Sequence, residues 1–513
     1  MFGDRRYGPQ EILHSALVTL TTLLSAIAVS IGTSATDLPY LSIVTPGAAA
    51  LLIAIAFAKW PAEGIGSFLL FSLLAISVEV VSGADLRYFD EIGLLLLLFV
   101  GVVRHRVPGG RLHLGVAEIA MCVVVGSGVL SSLVEAVPLD IWLLGLLLLL
   151  KGVAFYYLVS WLRLTMADVE RVAIVVVGVA LVILILGFLE FRDPAAFQRA
   201  FGLPPYDEVR GGIRVIKSIF THPSLFGWFT AFASLILYAR FLVTRIWWLL
   251  PLALLLDVGT LLSGRRTPIV GLVVALAVGL IWQWRHSRGA RMVLRSWVPL
   301  TAAAVVLVVV FMPLWSGIVR ETLRDYGNSR GAIAEILEEN PDPEVVSAVA
   351  QRTALYVASV AIARDEFPLG GGLGRFGSFM SRIHYSPLYE AYGLTGIYGL
   401  SPASRMALND TFWPSVLGET GIIGLIAFGT FIGTLFHRLW RASGLEDSPA
   451  WRAFVLAAIL VFVDRFVGSL TAMTYVAAPI AYFTFATVGA VLAVAATKRA
   501  PPHRLPGLRA PGA

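Results

Sequence analysis

Apolar runs of about 17–25 residues recur along the chain, separated by short polar breaks, and each is long enough for a helix to cross a hydrocarbon core. They fall near 12–31, 40–58, 64–82, 89–103, 114–133, 138–160, 169–190, 218–239, 246–263, 267–284, 297–316, 411–436, 451–470 and 474–496. The fourth is short and the last two lie close together. The pattern therefore predicts an all-α, polytopic membrane protein of about 12–14 transmembrane helices. Only one polar interruption is long, the stretch from Gly317 to Asp410. It divides the chain into an N-terminal bundle (1–316), a partly helical loop or lid (317–410), C-terminal helices (411–496) and a Pro-rich, disordered tail (497–513). Arg5 and Arg6 ahead of the first run imitate a signal peptide. That run is long and lacks a cleavage site, so it reads as a first span.

Composition supports this pattern. Of 513 residues, 58% are hydrophobic and 14% charged, more apolar surface than a soluble fold could bury. The formal charge of +6 is modest and sits in short loops, which argues for membrane orientation and against nucleic-acid binding. The single cysteine, Cys122, excludes an intramolecular disulfide and reads as a small core residue.

With the N-terminus inside, one alternation places every short basic loop in the cytoplasm: Lys59, Arg104/Arg106/Arg111, Arg163/Arg171, Arg240/Arg245, Arg285/Arg288/Arg291/Arg295, Arg438/Arg441 and the Lys498/Arg499 tail. The same alternation puts 191–217, 263–266 and 317–410 outside, although they too carry arginines. Two arginines in the short turn Ser263-Gly264-Arg265-Arg266 call for a reason beyond topology, and anion binding supplies one. In the long loop, Asp342-Pro343-Glu344 is a helix start. A helix over 343–365 would place Arg352, Tyr356 and Ser359 on one face before Pro368 and Gly370–Gly372 end it. The acidic residues from Glu335 to Glu344 read as a solvated face.

Four stretches carry candidate chemistry. Gly211-Gly212-Ile213-Arg214-Val215-Ile216-Lys217 followed by Thr221-His222-Pro223-Ser224 offers Arg214 and Lys217 as diphosphate ligands or as snorkelling anchors, with His222 as a base or a structural helix-start residue. Arg265-Arg266-Thr267-Pro268 opens a span. Arg352 precedes Phe367-Pro368-Leu369-Gly370-Gly371-Gly372-Leu373-Gly374-Arg375-Phe376, and Asn409-Asp410-Thr411 leads to Gly418-Glu419-Thr420-Gly421-Ile422-Ile423-Gly424. Asp410 is a candidate base or a helix cap, and His384 a weaker base candidate. Inside the spans, Asp464-Arg465 and Asp257 either face a cavity or form structural pairs.

The order of these four blocks, with the long loop between the last two, resembles the O-antigen ligase/O-antigen polymerase superfamily of bacterial membrane glycosyltransferases. The resemblance implies a GT-C-like fold in the inner membrane, working on its outer face, with both termini cytoplasmic. It implies an undecaprenyl-diphosphate-linked oligosaccharide donor, a saccharide acceptor, and chain-length or export proteins as further partners. Arg214, Arg266 and Arg352 match the arginines that hold the lipid diphosphate, Arg265 is an extra neighbour, and Arg465 a further candidate. Where the family's ligases carry a histidine, this chain has Asp410-Thr411, which favours a polymerase over a ligase acting on a lipid or protein acceptor. The expected chemistry is metal-independent and without cofactors: arginines stabilise the departing diphosphate and Asp410 takes the acceptor's proton. A transporter or flippase for the same lipid is the rival of another class, and would need a polar path through the whole membrane.

Overall fold

The computed structural model describes residues 9–33, 41–86, 88–105, 115–210, 213–286, 348–446 and 448–499. The first seven helices are α1 (Pro9–Thr33), α2 (Leu41–Lys59), α3 (Pro61–Ser82), α4 (Phe89–His105), α5 (Val116–Val134), α6 (Leu139–Trp161) and α7 (Met166–Arg192). A short α8 (Pro194–Ala200) leads into an antiparallel hairpin, β1 (Val209–Arg210) with β2 (Ile213–Arg214), in which Val209 faces Arg214. Then come α9 (Pro223–Thr244), α10 (Leu249–Leu262) and α11 (Arg266–His286). The last group is α12 (Ala348–Asp365), the short α13 (Phe379–Ile383) and α14 (Leu388–Ala391), and α15 (Phe412–Ala442), α16 (Pro449–Ser469) and α17 (Ile480–Arg499).

Among the described residues, nine helices are long and apolar enough to cross a membrane, and two shorter apolar helices cover Val44–Lys59 and Leu249–Leu262. The architecture is that of an all-α, multi-pass membrane protein. The expected span at 297–316, the acidic residues 335–344 and the first turn of the expected 343–365 helix lie outside the described residues. Cys122, expected in the core, is exposed on the outer side of α5. A small apolar side chain in a span gains nothing from facing inward when the surroundings are as apolar as the core.

The C-terminal helices form the middle of the bundle. α15 packs along α5, α16 against α9 and α11, and α17 along α6. Aromatic side chains fill the joints: Phe483 of α17 meets the rings of Trp228, Phe229 and Phe232 of α9 edge-on, at centroid distances of 5.2–5.8 Å. One end of the bundle is tied by ion pairs. Arg438 of α15 grips Glu118 of α5 at 3.1 and 3.0 Å and also donates to Tyr156 of α6 at 3.0 Å. On the same face, Arg240 of α9 pairs with Glu170 of α7 at 3.3 Å.

The opposite face holds the cap formed by 348–411, which has a small core of its own around Leu355, Ile362, Phe376, Tyr389, Ile397 and Leu408. Its attachment explains the glycine-rich motif. At Gly421 the backbone of α15 turns to φ 66, ψ −167, a region open essentially to glycine, and the helix kinks. The break frees the carbonyls of Gly418 and Glu419. They accept hydrogen bonds from Gly371 N (2.8 Å) and Gly372 N (3.1 Å) of the entering loop. Ser131 Oγ of α5 donates to Gly370 O at 2.5 Å, and Ser132 Oγ accepts from Leu373 N at 2.9 Å. The Glu419 carboxylate accepts from Phe376 N at 3.1 Å. The two carbonyls freed by the kink are thereby answered, as a water-poor environment demands.

A Cβ on Gly370 would stand 2.6 Å from Gly421 N, and one on Gly421 would overlap Pro368 O. Gly421→Ala is therefore expected to destabilise the protein by about 3 kcal/mol or more. Gly429→Ala, farther along the same helix with no atom within 4 Å of the added carbon, should be neutral or slightly stabilising. Thermal unfolding of the two variants in detergent checks the contrast.

Candidate anion-binding site

Most of the sequence-predicted residues sit on the capped face, in α12, at the start of α11 and in three connections: 201–222 between α8 and α9, the turn 263–265 between α10 and α11, and 366–411. The first is fixed by a residue the sequence reading passed over. Glu190, buried near the end of α7, accepts Lys217 N at 2.9 Å and Ser218 N at 2.6 Å through one carboxylate oxygen. Ser218, held at a left-handed φ of 54, also donates its hydroxyl to Ile183 O at 2.8 Å. Ile216 N then donates to Leu262 O at 3.0 Å, which lays the hairpin on the arginine turn.

Glu208 is the centre of this half of the site. Its carboxylate accepts from Arg265 Nη2 at 2.8 Å and, at close range, from Arg210 Nε and the Tyr206 hydroxyl. Burial pushes its carboxyl up, but the Tyr206 hydrogen bond and the Arg265 and Arg210 charges outweigh this and hold it below 4.5. Arg265 is pulled down from its ordinary value by burial and by repulsion from Arg210. Its Nε–H is buried and finds no hydrogen-bond partner among the described residues. Lys217 is buried, its ammonium 4.8 Å from the Tyr206 ring centre, and burial lowers its pKa. Arg214 points instead to Asp207, at 3.0 Å, and is more exposed. Arg266 begins α11 beside Arg265.

His222 is the N-cap of α9: its Nδ1 accepts from Ser224 N at 3.2 Å, with Pro223 at the first helical position. Desolvation of the ring and the nearby cations, Arg265 first, push it down to about 4. Three residues past Ser224, Gly227 lets α9 approach Ser263 so closely that an added Cβ would overlap its hydroxyl. That contact accounts for the spacing of the His-Pro-Ser-x-x-Gly block.

The second half of the site is on the cap. Arg352 of α12 donates from Nη2 to Asp410 Oδ2 at 3.3 Å, while its buried Nε–H has no partner among the described residues. Burial raises Asp410 above 3.8, and Arg352 and Arg382 counter only part of that. The helix start that Asp410 could have capped is taken by Thr411, without a side-chain cap. One turn after Arg352, the Tyr356 hydroxyl donates to Leu470 O at 3.0 Å in the turn after α16. Thr471 in that turn shares a 2.8 Å hydroxyl contact with Thr267, next to Arg266. The turn after α16 thus ties the Arg352 side to the Arg265/Arg266 side.

Four candidates are engaged differently. His384 caps the end of α13, exposed, with its backbone N–H bonded to Met380 O at 2.8 Å. Arg465 and Asp464 form a buried ion pair, Nε to Oδ2 at 2.8 Å, with the guanidinium 5.3 Å from the Trp228 ring centre. Asp257 accepts from the Tyr238 hydroxyl at 2.5 Å, a neutral partner in place of a charged one. Of the residues the sequence reading missed, Tyr206 and Glu208 lie close to Arg210 and Arg214 in the chain, and an acid among basic residues was the available signal. Glu190, alone at the end of a span, gave none.

No protein-family model matches this sequence, and a comparison with curated proteins finds none that matches.

Because the folded pKa of His222 lies below the unfolded value of 6.5, the unfolded chain binds the proton first. Its contribution to stability is present above pH 6.5 and lost as pH falls toward 4. His222→Asn, which retains a capping acceptor, should remove that part of the acid sensitivity while costing no more than about 1 kcal/mol at neutral pH. Thermal melts from pH 7 to 4 compare the two proteins.

Proposed function

We propose that the protein is a polysaccharide polymerase that transfers an undecaprenyl-diphosphate-linked saccharide to a hydroxyl of an acceptor saccharide. The observation that carries this reading is the pair of buried arginine Nε–H donors, on Arg265 and Arg352, that have no partner among the described residues. They lie on one capped face of a helical bundle, each with another nitrogen of its guanidinium on a carboxylate. Guanidinium groups so placed suit a bidentate, doubly charged oxyanion. The four motif blocks lend the reading its family: a GT-C-like enzyme of the inner membrane with the capped face outward and both termini in the cytoplasm. In that orientation Lys59, Arg104, Arg240, Arg438 and Lys498 lie inside, as the positive-inside rule favours.

The chemistry follows from the side chains. Arg265, Arg266 and Arg352 hold the diphosphate, with Arg214 and Lys217 at its edge. The acceptor hydroxyl attacks the anomeric carbon of the donor, and the bond from that carbon to the diphosphate oxygen breaks. The electron pair leaves with the diphosphate, whose added charge the arginines stabilise. The hydroxyl proton passes to Asp410. A diphosphate drawing on Arg352 competes with Asp410 for it, so donor binding frees the carboxylate that acts as base. Burial has already raised Asp410 above 3.8, which strengthens it in that role.

Arg265→Ala and Arg352→Ala are expected to lower chain growth by about a hundredfold or more while leaving the fold intact, because a partly exposed pair such as Arg352–Asp410 contributes about 1 kcal/mol or less. Arg352→Lys should rescue poorly, since an ammonium lacks the planar fork. Asp410→Asn should reduce turnover by about a hundredfold or more with donor binding retained. Wild-type activity should fall on acidification through a pKa above 3.8. Purified protein given only undecaprenyl-diphosphate oligosaccharide reads all of these by product length. Normal product length in all the arginine variants overturns the assignment, and a need for a second acceptor identifies a ligase.

A further inference from the structure

At the face opposite the cap, a crevice of about 160 Å³ opens among α3, α7, α9, α16 and α17. Its walls are apolar, with Leu69, Val176, Phe232, Phe454, Ala457 and Ala486 among them. Its charged groups gather where Asp168 and Glu170 at the start of α7 meet Arg240 at the end of α9. Arg240 reaches Glu170 at 3.3 Å. Just beyond, Arg171 pairs with Asp168 at 2.5 Å and with Glu63 of α3 at 3.5 Å. The hollow therefore has the polarity of a lipid: hydrocarbon along its depth and charges of both signs at one end.

We propose that this crevice is a binding site for one acyl chain of a membrane phospholipid with a zwitterionic headgroup. A cavity of this size lined by aliphatic and aromatic groups does not hold water. Engineered cavities of about 150 Å³ with such walls stay dry and take up apolar guests. Left empty, its lining forfeits dispersion contacts. In a membrane the adjoining medium is itself hydrocarbon, so a lipid chain fills the space without being drawn from water. At the mouth, Arg240 and Arg171 suit a headgroup phosphate, and Glu170, Asp168 and Glu63 suit an ammonium. With near balance between the signs, a zwitterionic headgroup fits better than an anionic one. The site is at the far end of the bundle from Arg265 and Arg352, so a donor whose diphosphate is held there does not place its headgroup here.

The full-length protein, purified in mild detergent and washed extensively, is assayed for bound phospholipid by mass spectrometry. Its melting temperature is then followed as phosphatidylethanolamine is added back to the delipidated protein. The expected result is roughly one phosphatidylethanolamine per chain, and a melting temperature that rises on its return. Ala457→Leu and Ala486→Leu, which fill the hollow with protein methyl groups, should each carry roughly tenfold less lipid and respond little to its addition. Equal lipid in the variants and the wild type would mean only a bilayer annulus and would overturn the proposal. So would a wild-type melting temperature indifferent to phosphatidylethanolamine, or a co-purified polyprenyl lipid in its place. The wild-type titration decides the matter even if a leucine variant does not fold.

Discussion

A helix that breaks inside a bundle must give its freed carbonyls a partner, and the structure turns on how α15 does so. The kink at Gly421 leaves Gly418 O and Glu419 O without their helical donors. The glycine loop of the cap supplies Gly371 N and Gly372 N in their place, and the Glu419 side chain takes Phe376 N. Ser131 and Ser132 of α5 hold the loop from the other side. This set of bonds joins the cap to the membrane helices, and so it positions α12 and with it Arg352. The candidate site depends on a backbone exchange with no part in the chemistry.

Around that joint, charge is arranged differently at the two faces. At one face Arg438, Arg240 and Arg171 are answered by acids on neighbouring helices. On the capped face Arg265 and Arg352 meet Glu208 and Asp410, and among the described residues each keeps a buried Nε–H without a partner. The first arrangement joins helix ends through balanced charges of both signs. The second leaves capacity for an incoming anion, at the cost of desolvating guanidinium groups whose bonds are incomplete.

The spans were legible because hydrocarbon imposes both length and composition, and α1–α7, α9–α11 and α15–α17 follow the apolar runs where the chain is described, while α8 and α12–α14 lie in the polar connections. The start of α9 was legible in part, since His222-Pro223 carries both a cap and a first-turn proline. The Arg352–Asp410 contact was not, because nothing local distinguishes a carboxylate that caps its own helix from one that meets an arginine on another. The same holds for Asp464 and Arg465. Their adjacency left an ion pair and a ligand role equally open, and only three-dimensional packing put them together against Trp228. Glu208 was hidden for another reason: its partners converge through a hairpin and a turn from another part of the chain.

The meeting of Gly370 and Gly421 has a consequence for how this fold could be inferred. Contacts between distant positions are often recovered from paired changes in related sequences, where one side chain shrinks as its neighbour grows. Two glycines in backbone contact have no side chains to exchange, so the contact on which the cap depends would leave no such trace. A reconstruction from sequence variation would find the helices and their pairings readily, and would be least informed at the joint that gives the protein its cap.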